Sequence, residues 1–268
     1  MSASKENVKM LTFGEHLEEL RAVLLRIIAV TITLSIVIFC CKEVVFKFIF
    51  APSEWDFITY SCIEKLLHGI GIDFNFEEYH TQLITTDLAS QFMTHIRMSL
   101  FLGLLGTSPY ILFELFRFIS PALYENERKY SVLIAFMVYI LFAIGLLMSY
   151  FILFPISYRF LGTYSVAERI HNTITLNSYI STFVSLTLIM GIVFQLPLLA
   201  LILAKMDIIQ SSTLIKYRKY AFFILVIVSA IITPPDILTC ILVTMPLYFL
   251  YELSIRIIKN IETKRQQM

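Results

Sequence analysis

Residues 131–154 read SVLIAFMVYILFAIGLLMSYFILF, a run of 24 residues without a charged side chain. A helix needs about 20 apolar residues to cross the roughly 30 Å of hydrocarbon in a bilayer. The run is continuously apolar rather than alternating, so it predicts a transmembrane helix and excludes a strand of a membrane β-barrel. This stretch indicates an all-α integral membrane protein.

The rest of the chain repeats this pattern. Three more long apolar runs occupy residues 22–41, 92–112 and 179–203, and two shorter ones occupy 220–232 and 237–252. Thr233-Pro234-Pro235-Asp236 separates the last two runs, and a Pro-Pro pair cannot continue a helix because it lacks two N–H donors. We therefore predict six spans, of which the last two form a short hairpin with arms of about 20 and 24 Å.

The distribution of basic residues predicts the orientation. Segments 1–21, 113–130, 204–219 and 253–268 carry 14 Lys and Arg residues, whereas 42–91, 155–178 and 233–236 carry five. Basic residues accumulate on the cytoplasmic side of membrane proteins. Both termini are therefore predicted to be cytoplasmic, and residues 1–21 to be retained rather than cleaved as a signal.

Composition narrows the function classes. Charged residues make up 15% of the chain, mean hydropathy is +0.79 and the net charge is +1, so no general attraction to nucleic acid is expected. The sequence has no catalytic triad, phosphate loop or zinc spacing, and His16 has no second ligand at a suitable distance along the chain. We predict no enzymatic activity, no cofactor and no metal.

We predict one membrane domain over residues 1–268. Its parts are an interfacial amphipathic helix at 1–21, an outer cap loop at 42–91, a first cytoplasmic loop at 113–130 and a basic cytoplasmic tail at 253–268. In the first part, TFGEHLEELR at 12–21 begins with a capping box and places Glu15 and Glu19 away from its apolar stripe. These acids either pair with Arg21 and nearby bases or bind a cationic ligand.

The cytoplasmic loop and the fourth apolar run leave similar alternatives open. FRFISPALYENERK at 116–129 is either a basic cluster that sets topology, with local ion pairs, or an acidic patch for a cationic ligand. In GIVFQLP at 191–197, Gln195 either makes an interhelical hydrogen bond beside a kink at Pro197 or contacts a guest segment. The apolar runs carry no carboxylate at mid-depth, which argues against a proton-coupled pump.

Several ordered motifs resemble the TatC family, the multispanning subunit of the twin-arginine protein translocase. The most specific is FISPALYENER at 118–128. The others are HLEELR at 16–21, AP at 51–52, TDLAS at 86–90, FP at 154–155, FQLP at 194–197 and TPPD at 233–236.

The resemblance implies a receptor for folded cargo that carries a paired-arginine signal peptide, driven by the proton-motive force in a bacterial plasma membrane without an ATP site. It implies that Glu19 and Glu127 receive the two arginines, within motifs that also contain Arg21, Phe118, Pro121 and Tyr124. It further implies single-span TatA-type and TatB-type partners within a homo- and hetero-oligomer in lipid, docking near span five and Gln195. Pro197 and Asp236 are the other intramembrane candidates for these contacts.

The residue at position 195 departs from the family pattern. Many TatC relatives carry an acid where this chain has Gln195, so any contact there must rely on hydrogen bonding. The main alternative function is a six-span small-molecule transporter. A transporter would need a polar midplane site, and Gln195 alone offers one.

Overall fold

In the computed structural model, every regular element among the described residues is a helix, apart from an isolated bridge between Ile84 and Thr175. It describes residues 13–73, 83–119, 131–165, 167, 172–205, 208–233 and 236–266. The helices are α1 Phe13–Cys40, α2 Lys42–Phe50, α3 Ile58–Gly69, α4 Ser90–Ile119, α5 Ser131–Met148, α6 Phe154–Thr163, α7 Leu176–Val193, α8 Leu196–Lys205, α9 Ser211–Lys216, α10 Arg218–Ile232 and α11 Ile237–Gln266. A 3₁₀ turn at Ala51–Ser53 follows α2, and a π-helical turn at Ser149–Leu153 joins α5 to α6.

Five helical stretches are long and apolar enough to cross a membrane, which confirms the all-α membrane class. They are His16–Cys40, Ser90–Leu115, Phe136–Thr163, Leu176–Ala204 and Ile237–Thr263. Each contains most of a predicted run. The third continues nine residues beyond the predicted end at Phe154 and passes through Pro155, near the start of α6.

The predicted break at 233–236 is confirmed, since α10 ends at Ile232 and α11 begins at Ile237. The first arm is short: its 15 residues reach about 22 Å. The prediction that the second arm is also short is wrong, because α11 has 30 residues. The segment predicted as a basic tail is helical as far as Gln266, and its Ile255 and Ile258 are buried. The helix continues through this segment because one of its faces buries apolar side chains.

The chain divides into two compact units, one of which comprises Met1–Cys40 and Ser99–Met137. Within it, α1 and the second part of α4 pack antiparallel. A Cβ on Gly103 would lie 2.0 Å from the Ser35 hydroxyl oxygen, so only glycine permits this approach. Pro109 leaves the Leu105 carbonyl without its helical donor, and the Ser108 hydroxyl donates to that carbonyl at 2.6 Å.

The other unit comprises Cys41–Met98 and Val138–Met268. Its centre is aromatic: the rings of Phe154, Tyr179 and Phe183 are buried and meet edge to face. Buried tyrosine hydroxyls need partners, and here they donate to backbone carbonyls. The Tyr179 hydroxyl donates to Ile49 O at 2.7 Å and the Tyr150 hydroxyl to Phe48 O at 2.8 Å. These bonds attach α2 to the third and fourth apolar stretches.

Pro155 explains how the predicted outer segment attaches to the third stretch. Its missing N–H would have bonded to the Phe151 carbonyl four residues earlier. The Thr59 hydroxyl donates to that carbonyl instead, and the Tyr60 hydroxyl donates to Pro155 O at 2.9 Å. The start of α3 therefore satisfies the Phe151 acceptor that the proline leaves open, and it adds a second bond to Pro155 itself.

Gly145→Ala is expected to lower the thermal unfolding temperature in detergent. A Cβ on Gly145 would lie 2.6 Å from the Met190 carbonyl oxygen, so α5 and α7 would have to separate, and overpacking of this kind costs about 1–3 kcal/mol. Gly14→Ala is the matched control, because a Cβ there meets nothing within 4 Å. Equal unfolding temperatures for the two variants would contradict the close packing.

Candidate functional site

The predicted signal-binding residues that the structure describes lie at one end of the α1 and α4 pair. The His16 imidazole stacks on the Phe118 ring with 4.3 Å between centroids and 14° between planes. The contact joins the first turn of α1 to the last turn of α4.

Glu19 and Arg21 follow His16 on α1 and are both exposed. Glu19 is three residues, or about 4.5 Å, further along the axis and on a neighbouring part of the helix surface. An exposed carboxylate thus lies within one helical turn of His16, at the end of the α1 and α4 pair. Pro121, Tyr124 and Glu127 lie outside the described residues.

A buried acid lies deeper along the same two helices. The Glu114 side chain is 4% exposed, and its Oε2 lies 3.4 Å from Nη2 of Arg26, whose side chain is 47% exposed. The Tyr110 hydroxyl donates to Glu114 Oε1 at 3.0 Å, whereas Oε2 accepts no hydrogen bond from the described residues. The carboxylate therefore depends on the Arg26 charge for compensation.

Sequence reasoning missed this pairing, although both charges are visible at the ends of their apolar runs. The available signal was Arg26 as the sole charge in the run 22–41, since an ionisable group among apolar residues usually has a partner. Once α1 and α4 are known to run antiparallel, Glu114 can be identified as the partner of Arg26. As the numbers rise along α1 through His16, Arg26 and Ser35, those of their partners on α4 fall through Phe118, Glu114 and Gly103.

Gln195 lies in a break between α7 and α8. Its side-chain amide Nε2 donates to the Val138 carbonyl oxygen on α5 at 3.1 Å, and its Oε1 is buried without a partner among the described residues. Pro197 is buried in the first turn of α8, a position that proline often occupies. The amide thus makes the interhelical hydrogen bond that was one of the two alternatives, and it keeps one acceptor for another donor.

Asp236 caps the last helix. Its Oδ1 accepts from the Thr239 backbone N–H at 2.6 Å, as an N-cap carboxylate does, and its Oδ2 is buried without a partner among the described residues. Further along α11, Glu252 near its middle pairs with Arg218 at 2.8 Å, and the Glu262 carboxylate in its last turns accepts from the Ser211 N–H at 2.8 Å. The sequence did not predict these pairs, which join α9 and α10 to α11.

Comparison with known proteins gives a consistent result. A family profile described as "Sec-independent protein translocase protein (TatC)" matches residues 15–246. The TatC protein of Blattabacterium sp. subsp. Periplaneta americana is 37% identical over 265 residues, covering 97% of this chain and all of that protein. The TatC protein of Carboxydothermus hydrogenoformans is 31% identical and covers 96% of each chain. A crystal structure of the twin-arginine translocase receptor TatC superposes with a TM-score of 0.70 at 30% identity, covering 91% of this chain and 98% of that one.

Proposed function

The chain belongs to the TatC family of Sec-independent protein translocase proteins, and on this premise we propose that it is the signal-binding receptor of a twin-arginine translocase. The cargo is a folded protein with a paired-arginine signal peptide, and the proton-motive force drives its transport. The similarity to a crystal structure of a twin-arginine translocase receptor over nearly the whole chain supports this proposal.

Glu19 and Glu127 receive the two arginines of the signal. Support for Glu19 is its exposed position three residues beyond the stacked His16 ring, because guanidinium groups bind carboxylates and also stack on aromatic faces. Phe118 adds an aromatic surface. Arg21 adds a positive charge to α1 two residues after Glu19. Pro121 and Tyr124 belong to the same sequence motif as Glu127 and complete the proposed set of signal-binding residues.

The chain crosses the plasma membrane of a bacterium six times, with both termini in the cytoplasm. Five spans are the long apolar stretches, and the 15-residue α10 is the remaining one. Two features support this topology: the hairpin break before α11, and the excess of Lys and Arg in alternate segments. The short α10 requires flanking residues to snorkel or the bilayer to thin beside it.

Single-span TatA-type and TatB-type subunits bind within the bilayer, in a homo- and hetero-oligomer. The free acceptor on Gln195 supports a contact with a donor from such a partner, since a buried amide oxygen without a partner is costly. Pro197 lies in the first turn of α8, directly after the break that contains Gln195. Asp236 offers a second acceptor at the hairpin.

The observation that carries the proposal is the exposed Glu19 carboxylate beside the His16–Phe118 stack. The test exchanges the arginine pair of a signal peptide for two lysines or two glutamines and measures its photocrosslinking to the protein in membranes. We expect capture to fall by about tenfold or more with glutamines, since a charge-assisted pair contributes about 1.5–3 kcal/mol and 1.4 kcal/mol is tenfold. Lysines should bind better than glutamines but worse than arginines, because they keep the charge and lose the bidentate geometry. Unchanged capture of the glutamine signal would refute receptor function.

A further inference from the structure

The segment around α3 exposes large apolar side chains outside the long apolar stretches. Trp55 is 47% exposed, Ile58 65%, Leu66 62% and Ile70 76%. The first turn of the helix is anchored through Thr59 and Tyr60, which are buried. Ile58 and Leu66 belong to a free side of the helix that is apolar apart from the exposed Lys65.

The contacts of α3 set its depth along the third apolar stretch. Phe136–Thr163 has 28 residues, or about 42 Å of helix, whereas the hydrocarbon is about 30 Å thick. The apolar run and α5 both begin at Ser131, so about 20 residues counted from there fill the hydrocarbon, which ends near residue 150. The Thr59 hydroxyl bonds to the Phe151 carbonyl, and the Phe57 ring stacks on the Phe151 ring at 5.9 Å. The start of α3 thus lies at the hydrocarbon boundary.

The free side of α3 also continues a lipid-facing surface. Leu147, Phe151 and Ile152 are exposed on the third stretch, and such side chains on a span face lipid. Because Phe57 stacks directly on Phe151, the surface passes from the span to the beginning of α3 without an intervening polar layer.

We propose that α3, together with Trp55, lies in the headgroup and upper acyl region of the leaflet at this end of the third span, as a lipid-binding interfacial helix. Tryptophan is enriched at this level of membrane proteins, and apolar faces of interfacial helices insert by roughly 5–10 Å. The acids Glu54 and Asp56 flank Trp55 and are exposed, so the segment stays at the interface. The exposed Lys65 beside Leu66 reaches lipid phosphates by snorkelling. The proposal does not depend on signal binding.

Trp55 is the only tryptophan of the chain, so its fluorescence reports this segment alone. The purified protein is reconstituted into phosphatidylcholine vesicles that carry bromine at shallow or deep acyl positions. We expect shallow bromines to remove about half of the Trp55 emission and deep bromines less, because interfacial rings sit at the headgroup boundary. Aqueous iodide should quench Trp55 much less than it quenches N-acetyltryptophanamide in the same suspension.

Single-tryptophan variants extend the test along the helix. W55F/I58W and W55F/L66W should show the shallow-bromine pattern, whereas W55F/F249W, with the tryptophan at an exposed position of the last apolar stretch, should respond most to deep bromines. Strong iodide quenching of Trp55 without bromolipid quenching would place α3 in water and overturn the proposal. Protection from both quenchers that increases with the protein-to-lipid ratio would identify a second copy as the occupant, and would overturn it equally.

Discussion

Glu19→Lys is expected to reduce photocrosslinking of a paired-arginine signal peptide to the protein by about tenfold to a hundredfold. The substitution removes one charge-assisted pair of about 1.5–3 kcal/mol and adds repulsion between like charges, and 1.4 kcal/mol corresponds to tenfold. Glu19 is exposed, which moves the expectation for Glu19→Ala to the lower end of this range. Crosslinking yields are normalised to the amount of protein in the membranes.

Two matched variants separate site chemistry from net charge. Glu18→Lys makes the same charge change one residue away on α1, where the side chain is also exposed but points about 100° around the helix. Glu125→Lys and Glu127→Lys form the corresponding pair in the cytoplasmic loop. Crosslinking of the signal peptide should be retained in Glu18→Lys and Glu125→Lys. It should fall in Glu19→Lys and Glu127→Lys. Equal losses at all four positions would mean that the membrane surface charge, rather than these two carboxylates, attracts the signal.

The apolar helices could be predicted from the sequence because crossing a bilayer is a local property. About 20 apolar residues in a row are sufficient evidence, and the Pro-Pro break at the hairpin is equally local. Helix ends were less predictable. The third stretch passes Pro155 because Thr59, almost a hundred residues earlier, occupies the carbonyl that the proline leaves open. The last helix passes Glu252 because its next turns bury Ile255 and Ile258.

The candidate site likewise combines local features, which the sequence predicts, with contacts between distant residues, which it does not. Glu19 was predicted from a motif within one helix, but the stacking of His16 on Phe118 joins residues that are about a hundred positions apart. The Arg26 and Glu114 pair is equally non-local. Each charge was visible in the sequence, whereas their antiparallel register follows from the close approach of Gly103 to Ser35. Sequence spacing carries no information about such a register.

Glu114→Arg is expected to lower the thermal unfolding temperature in detergent by about 5–10 °C, since breaking a buried ion pair costs about 3–5 kcal/mol and the half-exposed Arg26 reduces that figure. The variant would place two guanidinium groups at the position of a 3.4 Å ion pair and remove the acceptor of the Tyr110 hydroxyl. Arg117→Glu is the control. It reverses an exposed charge on the same helix and should leave the unfolding temperature within about 2 °C, because exposed charges contribute little.

The double variant R26E/E114R decides whether the pair or the individual residues matter. With the charges exchanged, attraction across α1 and α4 returns, so most of the lost unfolding temperature should return. We expect Glu114→Arg to weaken signal crosslinking as well, because the register of α1 and α4 is disturbed, and the exchange should restore it. Arg26 lies seven residues, or about 10 Å, from Glu19 along α1, so the pair reaches the signal only by holding the two helices in register. Recovery of stability without recovery of crosslinking would mean that Glu114 itself contacts the signal. No recovery of either would show that the two side chains act separately, and the register argument would be wrong.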